Sequence, residues 1–187
     1  NSEGKIIKKL TSDGYGNTVG PCFNQNTYSI KHDLITEKKD NKYGIIKISK
    51  DEVVIEHEFD DIRLYNDKYF KAKIDDKWYL YSIDNKEKVI EEGYKELFIV
   101  NDEIVVTQID NYLYIKDYKG KNIVEDKIEV LIEYNEGACC GASGGIAVEE
   151  ENGIINIFID EKTTDGIGYQ EIKYEYNIKD KKLTKVK

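Results

Sequence analysis

One pattern of strands and turns is written twice between Lys42 and Asn111, and this repetition constrains the fold more than any other feature of the sequence. Equivalent apolar positions lie 35 residues apart: Tyr43 and Trp78, Ile55 and Ile90, Phe59 and Tyr94, Ile62 and Leu97, Ala72 and Thr107. A fixed period of this length is typical of solenoids, propellers and other arrays, in which each unit buries its apolar face against the next. The sequence therefore predicts an architecture before it indicates any chemistry.

Each repeat contains apolar runs of strand length separated by polar turns. In repeat 1, residues 42–76, the runs are 43–48, 53–55 and 69–74, and repeat 2, residues 77–111, copies this order. Short runs rich in Ile, Val and Tyr between polar turns are typical of β-hairpins. No segment sustains a helical period, although residues 91–97 suit a single helical turn. We predict an all-β protein of consecutive antiparallel β-hairpin repeats, either propeller-like or solenoid-like.

The two ends of the chain depart from the repeat. A third copy, residues 112–134, begins one residue early relative to the period and is partial. Residues 1–41 are interpreted as an N-terminal cap with a partial repeat, and residues 135–187 as a Gly-rich insertion followed by a C-terminal hairpin cap. Arrays need atypical ends, because an uncapped unit would expose a sheet edge or an apolar face. The whole chain is predicted to form a single all-β domain with atypical end caps.

The composition limits the classes of partner. The 187 residues are 40% hydrophobic and 35% charged, as in globular proteins, and their formal net charge is −9. Such a charge argues against a nucleic-acid partner, because that binding depends on lysine and arginine contacts with phosphates. No apolar run is long enough to be a transmembrane segment. The chain contains no methionine, so residue 1 is not an encoded start; removal of a secretory signal or a lipid-anchored leader before the polar Asn1 would account for this.

The repeat resembles the WG-repeat family, also called KWG repeats, of bacterial β-rich proteins. The resemblance covers about residues 42–131 and rests on the following positions of repeat 1: Lys42, Tyr43, Gly44, Val54, Ile55, Phe59, Asp60. Repeat 2 keeps Lys77, Trp78 and Tyr94 but has Tyr79 in place of the glycine, and the family's proline after valine-isoleucine is absent. The resemblance implies an interaction module in bacterial secreted or cell-surface proteins, without catalytic residues of the family.

The tyrosines are candidate contact residues. Fifteen are present, more than a core can bury with every hydroxyl satisfied, and exposed tyrosines are common on surfaces that bind proteins or sugars. The candidate binding aromatics are Tyr65, Trp78, Tyr79 and Tyr81. Cell-wall glycan-binding repeats offer a rival resemblance through residues 78–81, but their period is near 20 residues. A protein partner is therefore expected rather than a glycan.

The Gly-rich insertion is the other candidate site. Its binding residues are predicted to be Cys139, Cys140, Gly141, Ser143, Gly144 and Gly145. A serine flanked by glycines can expose its hydroxyl next to backbone N–H donors, so a serine or cysteine hydrolase that uses this loop with His57 is an alternative. The cysteine pair has three interpretations: free thiols, one bridge to Cys22, or a vicinal disulfide.

No cofactor or metal site is indicated. The cysteines lack the spacing of zinc ligands, and no Gly-Lys-Ser or Gly-Lys-Thr closes the Gly-rich loop as phosphate binding requires. The acid pairs 60–61, 75–76 and 91–92 recur at bends between strands and are interpreted as turn residues. His32 and His57 are interpreted as surface or half-buried residues. The predicted function is a non-enzymatic binding or scaffolding module that is extracytoplasmic in bacteria, with a structural spacer as a further alternative.

Overall fold

A computed structural model describes residues 33–130, 145–162 and 169–186. Within these ranges the regular structure consists of fourteen strands: β1 (Leu34–Lys39), β2 (Lys42–Lys47), β3 (Glu52–Phe59), β4 (Asp61–Leu64), β5 (Tyr69–Ile74), β6 (Lys77–Ser82), β7 (Glu96–Ile99), β8 (Ile104–Ile109), β9 (Tyr112–Asp117), β10 (Ile128–Glu129), β11 (Ile146–Glu151), β12 (Ile154–Lys162), β13 (Tyr169–Asn177) and β14 (Lys182–Lys185). No helix occurs among these residues, and hence none that could span a membrane. The prediction of an all-β protein is confirmed.

The strands form four small antiparallel sheets, each made of neighbours in sequence. Sheet 1 has the order β1-β2-β3, sheet 2 β4-β5-β6, sheet 3 β10-β9-β8-β7 and sheet 4 β11-β12-β13-β14. Consecutive antiparallel meanders of this size are the units from which propellers and related arrays are built. The predicted consecutive hairpin units are therefore present.

The chain divides into two compact units, Asn1–Gly93 and Tyr94–Lys187. The core of the first lies between sheets 1 and 2 and is formed mainly by Leu34, Ile45, Ile55, Phe59, Ile62, Phe70, Ala72 and Tyr81. The core of the second lies between sheets 3 and 4 and includes Val106, Leu113, Ile115, Ile155, Ile157, Ile159 and Tyr176. Each unit thus buries the apolar side of one sheet against the next, as the repeat pattern requires.

The 35-residue period is visible strand by strand. It relates β1 to β5 and β8, β2 to β6 and β9, and β4 to β7. The boundary between residues 76 and 77, placed from sequence at the start of a repeat, lies at the turn between two paired strands of sheet 2. Periodicity alone gives the length of a unit but not its starting point, because any cut at the same spacing repeats equally well.

The turns repeat together with the strands. Two-residue loops join β1 to β2 and β5 to β6, and their central residues have the left-handed backbone that such hairpins require: Asp40 (φ 50°), Asn41 (φ 63°), Asp75 (φ 48°), Asp76 (φ 62°). Aspartate and asparagine tolerate this region better than other residues with side chains. The acid pair 75–76, interpreted from sequence as turn residues, lies in one of these turns.

A second repeated turn depends on an asparagine side chain. The Oδ1 atom of Asn66 accepts hydrogen bonds of 2.9 Å from the backbone N–H groups of Lys68 and Tyr69. Thirty-five residues later, the Oδ1 atom of Asn101 accepts bonds of 2.9 Å from Glu103 and Ile104. These side chains satisfy backbone donors where β4 turns into β5 and β7 into β8.

The third copy begins in register with the 35-residue period. The one-residue offset, predicted from sequence at the start of this copy, occurs later in the structure, in the turn after β9. The strand β9 starts 35 residues after β6. In the turn after β6 the N–H of Ser82 bonds to the carbonyl of Glu87, whereas after β9 the N–H of Asp117 bonds to that of Lys121. The second turn is one residue shorter. The offset therefore arises within a surface loop, where length varies at little cost.

Gly44 of repeat 1 and Tyr79 of repeat 2 occupy equivalent positions, and each lies in a close contact that involves a glycine. A Cβ atom at Gly44 would lie 2.6 Å from the carbonyl oxygen of Ile55, because the β3 backbone approaches closely there. At the equivalent position of repeat 2, the ring of Tyr79 packs onto Gly93, where a Cβ atom would lie 2.5 Å from Cζ. Gly44 thus accommodates the backbone of a neighbouring strand, whereas Gly93 accommodates the ring of Tyr79.

The predicted helical turn over residues 91–97 is not formed. This segment is a bend that leads into β7. Tyr94 and Leu97, three residues apart, are both buried. Two buried positions three residues apart do not distinguish a helix from a bend followed by a strand.

Candidate binding surfaces

The four candidate aromatics occupy different environments. Trp78 is 5% exposed and Tyr81 is 7% exposed, Tyr79 is half-buried, and Tyr65 is 40% exposed. Trp78, Tyr79 and Tyr81 lie on β6, whereas Tyr65 follows β4. Only Tyr65 therefore offers a large part of its ring to solvent, and the structure does not bring the four rings together on one surface.

The faces of Trp78 and Tyr79 are covered by cations. Lys71 Nζ lies 4.6 Å from the ring centroid of Trp78, and Arg63 Cζ lies 5.5 Å from it. Lys88 Nζ lies 4.1 Å from the ring of Tyr79. A cation over an aromatic face is attracted by the ring quadrupole. A sugar that stacked on these rings would first have to displace those side chains.

Tyr81 belongs to an aromatic cluster in the core of the first unit. Its ring stacks on Phe70 at 5.2 Å and meets Phe59 edge-on at 5.2 Å. Burial raises the pKa of the Tyr81 hydroxyl above its usual value, and the nearby Glu58 carboxylate acts in the same direction. Both effects favour the neutral phenol. Tyr81 therefore stabilises the pairing of β5 with β6.

The Gly-rich loop lies largely outside the described residues. This applies to Cys139, Cys140, Gly141, Ser143 and Gly144, and also to Cys22 and His32. Gly145 precedes β11, and its carbonyl accepts a bond of 3.0 Å from the N–H of Asp160. The candidate loop and its disulfide alternatives stay predictions.

His57 is half-buried, in agreement with the sequence interpretation, and it contacts Glu37. The atoms His57 Nε2 and Glu37 Oε2 lie 3.0 Å apart. Glu37 pairs with Gly44 of the central strand, and a bulge places residues 56–58 of β3 opposite that glycine. The two side chains meet across Gly44, which has no side chain to separate them. Sequence spacing could not show this contact, because it joins the two outer strands of a sheet.

Two residues of the family-like motif form an ion pair. Lys42 Nζ lies 2.6 Å from Asp60 Oδ1, and Asp60 Oδ2 accepts a bond of 3.2 Å from the N–H of Asp75. The hydrogen bond from Lys42 lowers the pKa of Asp60, and the Asp75 N–H and the positive charge of Lys73 act in the same direction. Asp60 therefore connects β2 to the turn between β5 and β6. In repeat 2 the equivalent residue is Lys95, so this pair is not repeated.

A buried lysine was not anticipated from the sequence. Lys116 is 6% exposed, and its Nζ lies 3.5 Å from Tyr94 Oη and 5.0 Å from the centroid of that ring. Repeat alignment places Lys116 at the position of Ile46 and Tyr81, which are also buried. The sequence did contain a signal of this burial, because the equivalent positions in the other two copies are apolar. Burial of an ammonium group is tolerated when polar and aromatic partners surround it.

Among the described residues, one side of sheet 4 packs on the core of the second unit and the other side faces away from it. Alternate residues of its strands point away from the core and define what we call the terminal sheet face: Ala147, Glu149, Glu151, Ile154, Asn156, Phe158, Asp160, Glu171, Lys173, Glu175, Asn177, Lys182 and Thr184. Ile155, Ile157 and Ile159 point the other way and are fully buried. Phe158 and Ile154 on this face are only partly buried. The face therefore combines accessible apolar area with charged surroundings.

The charges of this face are mostly negative. It contains five acids and two lysines, and one of these lysines, Lys173, is bound to Glu175 at 2.7 Å. Lys173 Nζ also lies 5.5 Å from the ring centroid of Phe158. Across the described part of the chain, no group of three His, Cys, Asp or Glu side chains is arranged to hold a metal ion.

Comparisons with known proteins do not assign the chain to a family. No protein-family model and no curated protein matches it. Solved structures similar to it include Hsv2 from Kluyveromyces lactis (TM-score 0.40, 10% identity, 81% of this chain and 59% of that one) and the same protein with complete loop 6CD (0.40, 12%, 75% and 46%). KlHsv2 with loop 6CD replaced by a Gly-Ser linker is a further match (0.37, 10%, 81% and 61%). The chain spans about half the length of these structures, and similarity at this level assigns no function.

Proposed function

We propose that this protein is a non-enzymatic module that binds another protein through the terminal sheet face. The observation that carries the proposal is the pattern of burial across sheet 4. Ile155, Ile157 and Ile159 on one side of β12 are fully buried, whereas Ile154 and Phe158 on the other side keep part of their surface accessible. Partly exposed apolar residues surrounded by charged ones are typical of protein interfaces.

The charges on the face indicate the partner's chemistry. Glu149 and Glu151 are exposed along the edge strand β11, and the acids of the face outnumber its lysines. A basic protein surface would complement this arrangement, since opposite potentials across an interface speed association and select partners. The acidic net charge of the chain disfavours self-association through the same face.

A glycan partner is supported less well. Sugar-binding surfaces present open aromatic faces, but the rings of Trp78 and Tyr79 are covered by cations and Tyr81 is buried. On the terminal face, Phe158 is the aromatic residue among the defined positions, and Lys173 lies near its ring. We therefore favour a protein ligand.

The test is a saturable capture experiment with charge-matched variants. The protein is immobilised and exposed to an extract of its source organism, with soluble protein as competitor. We expect the double variant Glu149→Lys and Glu151→Lys to lose the captured partner, because it reverses the charge of the edge strand. The control variant Glu103→Lys and Glu125→Lys makes the same charge change at exposed positions outside the face. Equal capture by both variants would contradict the proposal, and no saturable partner would indicate a structural spacer.

The hydrolase alternative has its own test. His57 contacts a carboxylate, as a catalytic base often does, but it also bridges two strands of sheet 1. The full chain is treated with active-site probes for serine and cysteine. Stoichiometric labelling at Ser143 or Cys139 that is lost on unfolding would contradict a non-enzymatic module.

We also propose that the protein acts outside the bacterial cytoplasm. The support is its resemblance to WG repeats, which implies secreted and cell-surface proteins. Fractionation of the source organism with an antibody to the chain tests this placement. Recovery in the cytoplasmic fraction alone would contradict it.

A further inference from the structure

The turn between β11 and β12 contains an Asn-Gly dipeptide. Glu151 pairs with Ile154, so Asn152 and Gly153 form a two-residue hairpin loop, with φ values of 54° and 79°. Both residues therefore have the left-handed backbone of a type I′ turn, for which Asn-Gly is the preferred sequence. Asn152 is exposed, and a Cβ atom added to Gly153 would meet no atom within 4 Å.

This dipeptide has a known chemical weakness. The backbone nitrogen of Gly153 can attack Cγ of Asn152, since glycine has no side chain to obstruct the approach. The new N–Cγ bond closes a succinimide, the Cγ–Nδ2 bond breaks, and ammonia leaves with the proton from the Gly153 nitrogen. Water then opens the ring at either carbonyl and produces aspartate or isoaspartate at position 152.

One hydrogen bond opposes the first step. Glu150 Oε1 accepts a bond of 2.8 Å from the N–H of Gly153, the group that must lose its proton to become the nucleophile. A carboxylate at this distance disfavours negative charge on the nitrogen by Coulomb repulsion. The bond also links the turn to the side chain of Glu150 on the adjoining strand and so restrains the hairpin conformation.

We propose that Asn152 is a site of spontaneous deamidation and that Glu150 restrains its rate. The products alter the edge of the terminal sheet face. Aspartate adds a negative charge next to Glu151, and isoaspartate adds one atom to the main chain of a turn that sets the register of β11 with β12. The modification is thus placed where it would change the shape and charge of an open surface.

The chain supplies an internal comparison. Asn41 also has a left-handed backbone, φ 63°, in a two-residue hairpin, but the residue after it is Lys42. The side chain of Lys42 obstructs the approach of its backbone nitrogen to Asn41, whereas Gly153 has no side chain. Ring closure at Asn41 is therefore slower. Asn41 and Asn152 therefore report on the effect of the following residue within one protein.

The test is incubation of the folded full chain at mildly alkaline pH, followed by peptide mass spectrometry that separates aspartate from isoaspartate. We expect conversion at Asn152 to exceed that at Asn41. Glu150→Gln should accelerate conversion about tenfold, the factor that repulsion between two unit charges at this distance gives in water. Glu149→Gln removes the same charge from the neighbouring residue, which points to the opposite side of the strand, and should leave the rate unchanged.

Several results would overturn the inference. Conversion at Asn152 no faster than at Asn41 would show that the site is not reactive. A slower reaction in Glu150→Gln would show that the carboxylate accepts the proton as a base instead of restraining the turn. Equal acceleration by both glutamine variants would indicate a general charge effect. Circular dichroism of each variant confirms that the fold is retained during incubation.

Discussion

Single residues determine where the strands of sheet 1 can approach each other. Gly44 admits the β3 backbone to a distance that no side chain would allow, and this approach brings Glu37 to His57. The glycine of the family-like motif therefore has a steric role in repeat 1. In repeat 2, where Tyr79 occupies the position, the small residue is Gly93.

We expect Gly44→Ala to lower the free energy of unfolding by about 1–3 kcal/mol, as overpacking commonly does. The added Cβ would collide with the backbone of Ile55 and Glu56, which cannot move aside without breaking the pairing of β2 with β3. Urea unfolding measures the change, and Lys47→Ala on the same strand is the control. Equal stability of the two variants would show that the bulge relaxes easily.

Asp60 should show an acid-dependent contribution to stability. Its folded-state pKa is lowered chiefly by the hydrogen bond from Lys42, so stabilisation is present above the unfolded pKa of about 3.9 and is lost as pH falls through the folded pKa. We expect Lys42→Gln to raise the Asp60 pKa toward its ordinary value, as followed by NMR of the carboxyl carbon. Lys47→Gln should leave it in place; a shift in both variants would implicate net charge instead.

At the scale of elements, the strands repeat with their turns. The side chain of an asparagine closes the connection from β4 to β5, and again from β7 to β8. The hairpin between β5 and β6 uses two aspartates with left-handed backbone. The turns between these strands therefore contain residues that adopt left-handed backbone or accept hydrogen bonds from backbone N–H groups.

Loss of the asparagine side chain should destabilise the second unit. We expect Asn101→Ala to cost about 0.5–2 kcal/mol, the range measured when a side chain that caps backbone N–H groups is removed. Asn101→Asp should retain most of the stability, because its carboxylate can accept the same bonds from Glu103 and Ile104. Thermal unfolding distinguishes them. If the aspartate variant is as unstable as the alanine variant, acceptance of these bonds is not the reason.

At the scale of the molecule, charge and core composition have separate consequences. The two cores are built from Ile, Leu, Phe and Tyr and sustain the fold, whereas the net charge of −9 acts on the surface. The pair Lys42–Asp60 is exposed, so solvent and salt screen its attraction and it contributes little to stability. Repulsion among the excess acids is therefore expected to dominate the response to salt.

We expect the melting temperature to rise when sodium chloride is increased from about 10 mM to about 150 mM, as the Debye length falls from about 30 Å to about 8 Å. Screening weakens the self-repulsion of an acidic chain more than it weakens a few exposed ion pairs. A double variant, Glu149→Gln and Glu151→Gln, should respond less. A melting temperature that falls with salt would show that specific ion pairs outweigh the net repulsion.

The sequence by itself determined the period, the strand content and the kind of residue at each turn. These are local properties: alternating apolar residues indicate strands, and aspartate, asparagine and glycine mark sites of left-handed backbone. The strands of sheet 4 were predictable for the same reason, because short polar turns separate clear apolar runs.

Only the tertiary structure decided which strands share a sheet and which side of a strand is covered. Trp78 and Tyr81 lie in one strand with opposite orientations, yet both are buried, so alternation could not distinguish core rings from contact rings. The contact of His57 with Glu37 joins strands that do not pair with each other. The burial of these rings and the contact of His57 with Glu37 depend on packing between segments distant in sequence. The 35-residue repeat defines the strands of one unit but not the contacts of that unit with its neighbours.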